Sequence, residues 1–403
     1  MRSTAVLPFL AALSGLAGCA AAERAAPPAA TASAPLAAYD DDAYDAAADS
    51  LRFPGETHLR NVRQLTFGGN NAEAYWSPDS RQLIFQSDWA AINGQGCDQQ
   101  FVMNADGSAL AGPSSPGGAA LSGGPAANRY RLASTGQGRT TCGYFLPAGG
   151  PLGGRVLYAS THAGDRACPA SQARTSGRYV WDIFETFDIY TARADGGDVQ
   201  PLVAAPGYDA EGTVSPDGRF MIFTSTRSGD LELWRMEIAT GALLQLTDTP
   251  GYDGGAFFSP DSRQIVWRAS RPTGDALAEY RTLLGQNMIE PGALNLFVAN
   301  ADGSEARQVT DMPGANWAPY FHPNGRQIIF ATNQRLIAEG GRTFDLYRVD
   351  TDGQNLERIS FSNTFDAFPM FSPDGTKLVF ASNRRVDRAP SRDTNIFVAD
   401  WVE

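Results

Sequence analysis

Short runs of large apolar residues, each entered through a cluster of Pro, Asp, Asn, Gly and Ser, recur along this chain. The runs read Leu83-Ile-Phe, Met221-Ile-Phe, Ile265-Val-Trp, Ile328-Ile-Phe and Leu378-Val-Phe. Each follows a turn signature: Ser77-Pro-Asp-Ser, Ser215-Pro-Asp-Gly, Ser259-Pro-Asp-Ser, His322-Pro-Asn-Gly and Ser372-Pro-Asp-Gly. A degenerate sixth copy, Leu146-Pro-Ala, leads into Val156-Leu-Tyr. Pro presets the backbone for a turn while Asp and Gly tolerate its tight conformation, so each signature predicts two antiparallel strands.

A third strand is expected at Phe101-Val-Met, Ile189-Tyr-Thr, Leu233-Trp-Arg, Leu296-Phe-Val, Leu346-Tyr-Arg and Ile396-Phe-Val. Most of these close on Asp106-Gly, Asp195-Gly, Thr240-Gly, Asp302-Gly or Asp352-Gly, a strong hairpin signal. A fourth strand follows at Gln64-Leu-Thr, Gln245-Leu-Thr, Gln308-Val-Thr and Arg358-Ile-Ser. Four strands per unit and six units predict an all-β fold, a six-bladed β-propeller of four-stranded antiparallel blades. The fourth strand at Val62–Thr66 precedes the first repeat, and the last repeat stops after its third strand. Pairing of the amino- and carboxy-terminal strands therefore completes the last blade and removes an open edge.

This strand order puts the Pro-Asp-Gly and Asp-Gly turns on one face. The entry loop and the loop between second and third strands lie on the other, here called the top. Long top insertions fall at residues 88–98, 161–185, 272–293, 334–343 and 385–394. Leu277, Tyr280, Leu283 and Leu284 in the third predict a short helix. Loops carried on a rigid scaffold commonly hold function. The aromatics Phe85, Phe223, Trp267, Phe330 and Phe380 recur at one repeat position and are expected to pack between blades.

Six residues before each turn stand Asn71, Thr140, Asp209, Asp253, Asn316 and Asp366, with Glu73 and Glu211 two positions further in. As the first residues of the innermost strands they are expected to ring the upper channel mouth. Such a ring could hold Ca2+ or another cation by oxygen ligation, or hydrogen-bond a peptide. Asp and Asn at a strand start also satisfy local backbone N–H groups, and the two readings can coexist. Nothing in the pattern requires a cofactor, and no catalytic residue is assigned.

Cysteine usage adds a covalent expectation. Cys97 and Cys168 occupy corresponding top loops and Cys142 begins an inner strand. In an oxidising compartment a disulfide between Cys97 and Cys168 is favoured, with a switch to Cys142 as the alternative. A zinc set of Cys97, Cys142, Cys168 and His162 has suitable ligand types but lacks a close Cys-x-x-Cys pair.

The amino terminus changes the location of the molecule. Arg2, the apolar stretch Ala5–Leu16 and small residues before Cys19 predict an export signal over residues 1–19. Leu16-Ala-Gly-Cys resembles the bacterial lipobox, which implies lipidation of Cys19. Ala20 after it, where an inner-membrane retention signal would place Asp, implies the outer membrane. Residues 20–55 are Ala, Pro and Asp with few large apolar side chains and are expected to act as a flexible tether. The propeller then occupies 56–403. A net charge of -12 excludes nucleic acid, which requires basic patches. No phosphate loop or Gly-x-Ser-x-Gly elbow is present.

Taken together with Asn104-Ala-Asp-Gly and Gln64-Leu-Thr in register, the Ser-Pro-Asp-Gly repeats over residues 60–403 resemble those of the TolB-like six-bladed propellers. The family's type member carries an amino-terminal α/β domain where this chain has the tether. The resemblance implies a periplasmic scaffold that binds an envelope protein or peptide around the channel mouth, sometimes with a central cation. The alternative is a carbohydrate-active or hydrolytic enzyme using Asp209, Asp253, Asp366 and Glu211. Neither the partner nor the oligomeric state can be read from the chain.

Overall fold

A computed structural model describes residues 49–111, 128–171, 179–337, 343–385 and 393–403. The export signal, Cys19 and most of the expected tether lie outside the described residues. Six four-stranded antiparallel sheets form the blades of a closed propeller. Their innermost strands are Asn71–Trp76, Thr140–Phe145, Asp209–Val214, Asp253–Phe258, Asn316–Phe321 and Asp366–Phe371, in blades 1 to 6. In blade 6 the outer strand is Leu59–Gln64 from the start of the domain, paired with Asn395–Trp401 from its end. The ring is thus closed by strand exchange between the two ends of the sequence, as the repeat phase predicted.

The repeated sequence signatures each do a defined local job. In Ser-Pro-Asp-Gly the Ser hydroxyl donates to the Asp carboxylate and accepts the N–H five residues on. Ser77 to Asp79 is 2.6 Å and the Gln82 N–H to Ser77 is 2.8 Å, and Ser215 and Ser259 repeat both contacts. In blade 5 His322 substitutes, its Nδ1 accepting from the Asn324 N–H at 3.1 Å. The Thr or Ser of the fourth strand receives the N–H of the third: Leu233 to Thr247, Leu296 to Thr310, Leu346 to Ser360 and Ile396 to Thr66. The repeat is therefore a set of side chains that satisfy backbone donors at the corners of each blade.

Between the blades lies the apolar core. Phe85, Phe223, Trp267, Phe330 and Phe380 are fully buried at their shared repeat position. The expected helix is present at Gly274–Leu284 and buries Tyr280. Ordered structure also reaches back into the expected tether. Leu51 is buried, the Asp49 carboxylate caps the Val62 N–H, and Glu56 pairs with the fully buried Arg384 at 3.1 Å. The reason is Arg384 itself, whose charge inside the closing blade requires two carboxylates, Glu56 and Asp366.

Candidate binding site at the channel mouth

The six strand-start residues are at most 1% exposed. The open ring expected from the sequence is therefore not what they form; each is seated inside its own blade. Asn71 accepts from the Ser87 hydroxyl at 2.8 Å, Asn316 from Thr332 at 2.6 Å and Asp366 from Ser382 at 2.6 Å. The three acids each face an Arg 18 residues downstream: Asp209–Arg227 and Asp253–Arg271 at 2.7 Å, Asp366–Arg384 at 3.1 Å. Where the strand starts with Asn, the corresponding positions are Trp89 and Gln334. Acid and Arg occur together because an unpaired buried carboxylate is costly.

The channel is lined instead by the third residue of each inner strand. In all six strands the register with the neighbouring strand slips across this residue. Glu73, Cys142, Glu211, Gly255, Ala318 and Phe368 there share a φ between 49° and 59°. This left-handed conformation costs a non-Gly residue about 1–3 kcal/mol and is retained where a bulge re-aims a side chain. All six residues border one narrow space in the channel. Directly below, Tyr75 stacks on Phe257 at 5.8 Å and contacts Tyr144, while Phe257 meets Tyr320. These aromatics narrow the channel below the bulges.

Above the bulges opens a vestibule of about 360 Å³. Its roof comes from two top insertions: Trp181–Asp182 of blade 2 pairs with Met288–Ile289 of blade 4. Trp181 stacks on Trp317 of blade 5, with ring centroids 5.4 Å apart and planes 21° apart. Cys97 and Cys168, on top loops of blades 1 and 2, are joined by a disulfide with a Cα separation of 5.9 Å. Cys142 remains a free thiol on the vestibule floor.

Glu211 organises the floor. It pairs with Arg268 at 2.6 Å and accepts from the Tyr252 hydroxyl at 2.9 Å, the Thr224 hydroxyl at 2.8 Å and the Gly255 N–H at 2.8 Å. Gly255 leaves room for the Arg268 guanidinium, which a Cβ there would approach to 2.1 Å. The Arg268 guanidinium in turn lies 5.2 Å from the Trp181 ring, under the roof. Glu73, facing Cys142, is pushed up to about 7 by burial, against a lowering contribution from the thiol hydrogen bond. Burial likewise raises Asp98 to about 6, although Arg139 at 3.2 Å opposes it. The Cys142 thiol is pushed well above its ordinary range by the same desolvation.

Four polar atoms on residues lining this vestibule have no hydrogen-bond partner: Glu73 Oε2, Arg139 Nε, Arg268 Nε and Trp317 Nε1. Buried polar groups are normally paired, so one acceptor and three donors left unpaired just behind the wall of one cavity mark it as the place where a polar ligand would be accommodated. Among the described residues no group of three or more His, Cys, Asp or Glu is placed to hold a metal ion. Of the expected channel residues, Glu73 and Glu211 reach the channel lumen. Tyr252, Arg268, Trp181 and Trp317 were missed. Arg268 had a signal, since it interrupts a buried strand where the other blades carry Gln86, Ala159, Thr224, Ala331 and Ala381.

These features define a six-bladed β-propeller with a roofed pocket at one end of its channel. Residues 288–389, about a quarter of the chain, match the TolB beta propeller domain. An uncharacterised protein of Agrobacterium fabrum is 33% identical over 64 residues, which is 16% of this chain and 22% of that protein. A gluconolactonase from Xanthomonas campestris shares the fold at 13% identity and a TM-score of 0.50, covering 89% of this chain and 94% of its own. TolB from Acinetobacter baumannii superposes with a TM-score of 0.47 at 14% identity, over 82% of this chain and 63% of that one. Oligogalacturonate lyase from Vibrio parahaemolyticus gives 0.46 at 11% identity, over 86% and 94%.

Proposed function

We propose that this protein is a periplasmic binding scaffold that receives a segment of an envelope protein or peptide through its top face and channel mouth. The observation that carries the reading is the vestibule with aromatic walls and, on its lining residues, four unpartnered polar atoms. Trp181, backed by the buried Tyr252 and Trp317, supplies rigid amphipathic contact area, and Glu73 with Arg268 supplies an acceptor and a donor for a polar side chain or chain end. In this reading a cation at the mouth is dispensable, because Arg268 already neutralises Glu211. Export through residues 1–19 and attachment at Cys19 would hold the propeller at the outer membrane.

The test is crosslinking of the tethered protein in intact envelopes, comparing wild type with Glu73→Gln/Trp181→Ala. The control is Leu356→Ser, which alters an exposed residue of the opposite face. The reading expects one crosslinked species to disappear in the vestibule variant and persist in the control. Identical crosslinks in all three proteins overturn it.

One observation favours a second reading, hydrolysis of a glycan or related ester. Glu73, protonated up to about 7, lines the same narrow space as the ion-paired Glu211, and such a split of two carboxyl environments suits acid–base work. Glu73→Gln would then abolish turnover of a substrate that still binds, whereas a scaffold shows no turnover to lose.

A further inference from the structure

A second opening on the top face lies outside the vestibule, between the upper edge of blade 3 and the helix Gly274–Leu284. It is a groove of about 1110 Å³ bordered by Glu185, Asp230, Glu232 and Asp248, with Arg227 and Arg281. Arg227 is engaged by Asp209, so acids dominate what the groove offers. Ile183 of the roof borders both the groove and the vestibule, which makes the two neighbours.

Glu232 sets this groove apart from a solvated acidic patch. It is the first residue of the third strand of its blade, equivalent to Gln99, Asn295, Asp345 and Asn395. Those residues are satisfied where they stand. Gln99 accepts from Ser134 and Asn295 from Thr310, Asn395 accepts from Thr66 and the Gly68 N–H, and Asp345 is held by both Arg335 and Arg358. Glu232 is 2% exposed; the Thr247 hydroxyl bonds its carboxyl as Thr310 does Asn295, but its Oε2 has no partner among the described residues. Blade 5 supplies two guanidinium groups at this position and blade 3 supplies none. Burial, aided by the neighbouring Asp253 and Asp230 and opposed by the Thr247 hydrogen bond and the Arg271 charge, raises the Glu232 carboxyl to about 8. A carboxyl in that state gains its counter-charge when a cation enters the groove.

We propose that the groove is a docking site for a basic side chain of a bound polypeptide, a lysine ammonium or arginine guanidinium, anchored by the Glu232 carboxylate with Asp230 and Asp248 around it. A volume of about 1110 Å³ has room for several residues of a polypeptide rather than a single ion, and the acids recognise its charge rather than its sequence. This site shares Ile183 with the vestibule and none of its polar lining residues.

Calorimetric titration with a tetralysine amide, against the same peptide acetylated on its side chains, tests the proposal on the whole protein. The unmodified peptide is expected to bind and the acetylated one not. Glu232→Gln is expected to weaken binding by about tenfold while leaving thermal stability equal or higher, because the amide removes a buried ionisable group. One charge among the chain's net -12 would barely change diffuse attraction, so a tenfold loss is site-specific. Arg281→Gln, at an exposed position in the last turn of the helix, is expected to tighten binding about twofold by removing a like charge. Unchanged affinity in both variants overturns the proposal, as does equal binding of the acetylated peptide. Competition by spermidine at the same affinity per charge would assign the groove to small polyamines and overturn the polypeptide assignment.

Discussion

Replacing Glu73 with Gln tests whether the vestibule floor is shut off from water. The Glu73 carboxyl moves from an ordinary 4.5 to about 7 because burial disfavours its ionised form. A group raised in this way contributes stability that is complete below about pH 4.5 and lost as pH rises through about 7. A displacement of this size corresponds to about 3 kcal/mol between the two limits, which residual water in the channel trims toward about 2 kcal/mol. Gln has the same shape and no such ionisation. The stability difference between Glu73→Gln and wild type should therefore shift toward the variant by about 2–3 kcal/mol between pH 4 and pH 8.5. For roughly 350 folded residues, at about 2.1 cal/mol/K each, this is a relative gain in melting temperature of about 3–4 °C. Asp98, Asp253 and Glu232 also have raised values, but they titrate in both proteins and cancel in the difference. Thermal unfolding of the pair at both pH values is the assay. A difference that stays constant with pH would mean that the floor is well hydrated and the vestibule reasoning wrong.

Glu56→Gln leaves the fully buried Arg384 with Asp366 as its one remaining carboxylate, and should destabilise the closing blade by about 3–5 kcal/mol, read by denaturant melts and by faster proteolysis near residues 49–58. Gly255→Ala combines a strained φ with a Cβ 2.1 Å from Arg268; it should cost about 2 kcal/mol and abolish partner crosslinking by displacing Arg268 from Glu211. Cys97→Ser/Cys168→Ser opens a loop with a sequence separation of 71 and should cost about 4 kcal/mol, measured as a lower melting temperature that reducing agent does not lower further. Cys19→Ser should move the protein from the membrane to the soluble fraction of the envelope on fractionation.

Much of the fold was legible because its determinants are local and repeated. The Ser, Pro and Asp of each turn bond one another within five residues, so Ser77-Pro-Asp-Ser carries its own structural meaning wherever it recurs. Even closure could be read, since a fourth strand ahead of the first repeat has no blade of its own. The site was only half legible. Glu73 and Glu211 stood out as acids near the inner strand starts, but the same pattern drew attention to Asp209, Asp253 and Asp366, whose partners Arg227, Arg271 and Arg384 hold them inside the blades. The constant spacing between each acid and its Arg was visible in the chain, and its ion-pair meaning was not.

The sequence by itself determined the number of blades, their strand order, the closing strand pair and the face that carries the long loops. These follow from turn chemistry and from apolar periodicity, both of which act over a few residues. Only the tertiary structure decided which residues face the channel, because the bulge at the third position of every inner strand shifts the register and re-aims one side chain per blade. It alone decided that Trp181 and Met288, more than a hundred residues apart, meet in a roof, and that Tyr252 and Arg268 converge on Glu211. Such contacts depend on the geometry of the closed ring, which brings blades 2, 4 and 5 around one axis, and no local rule encodes that distance.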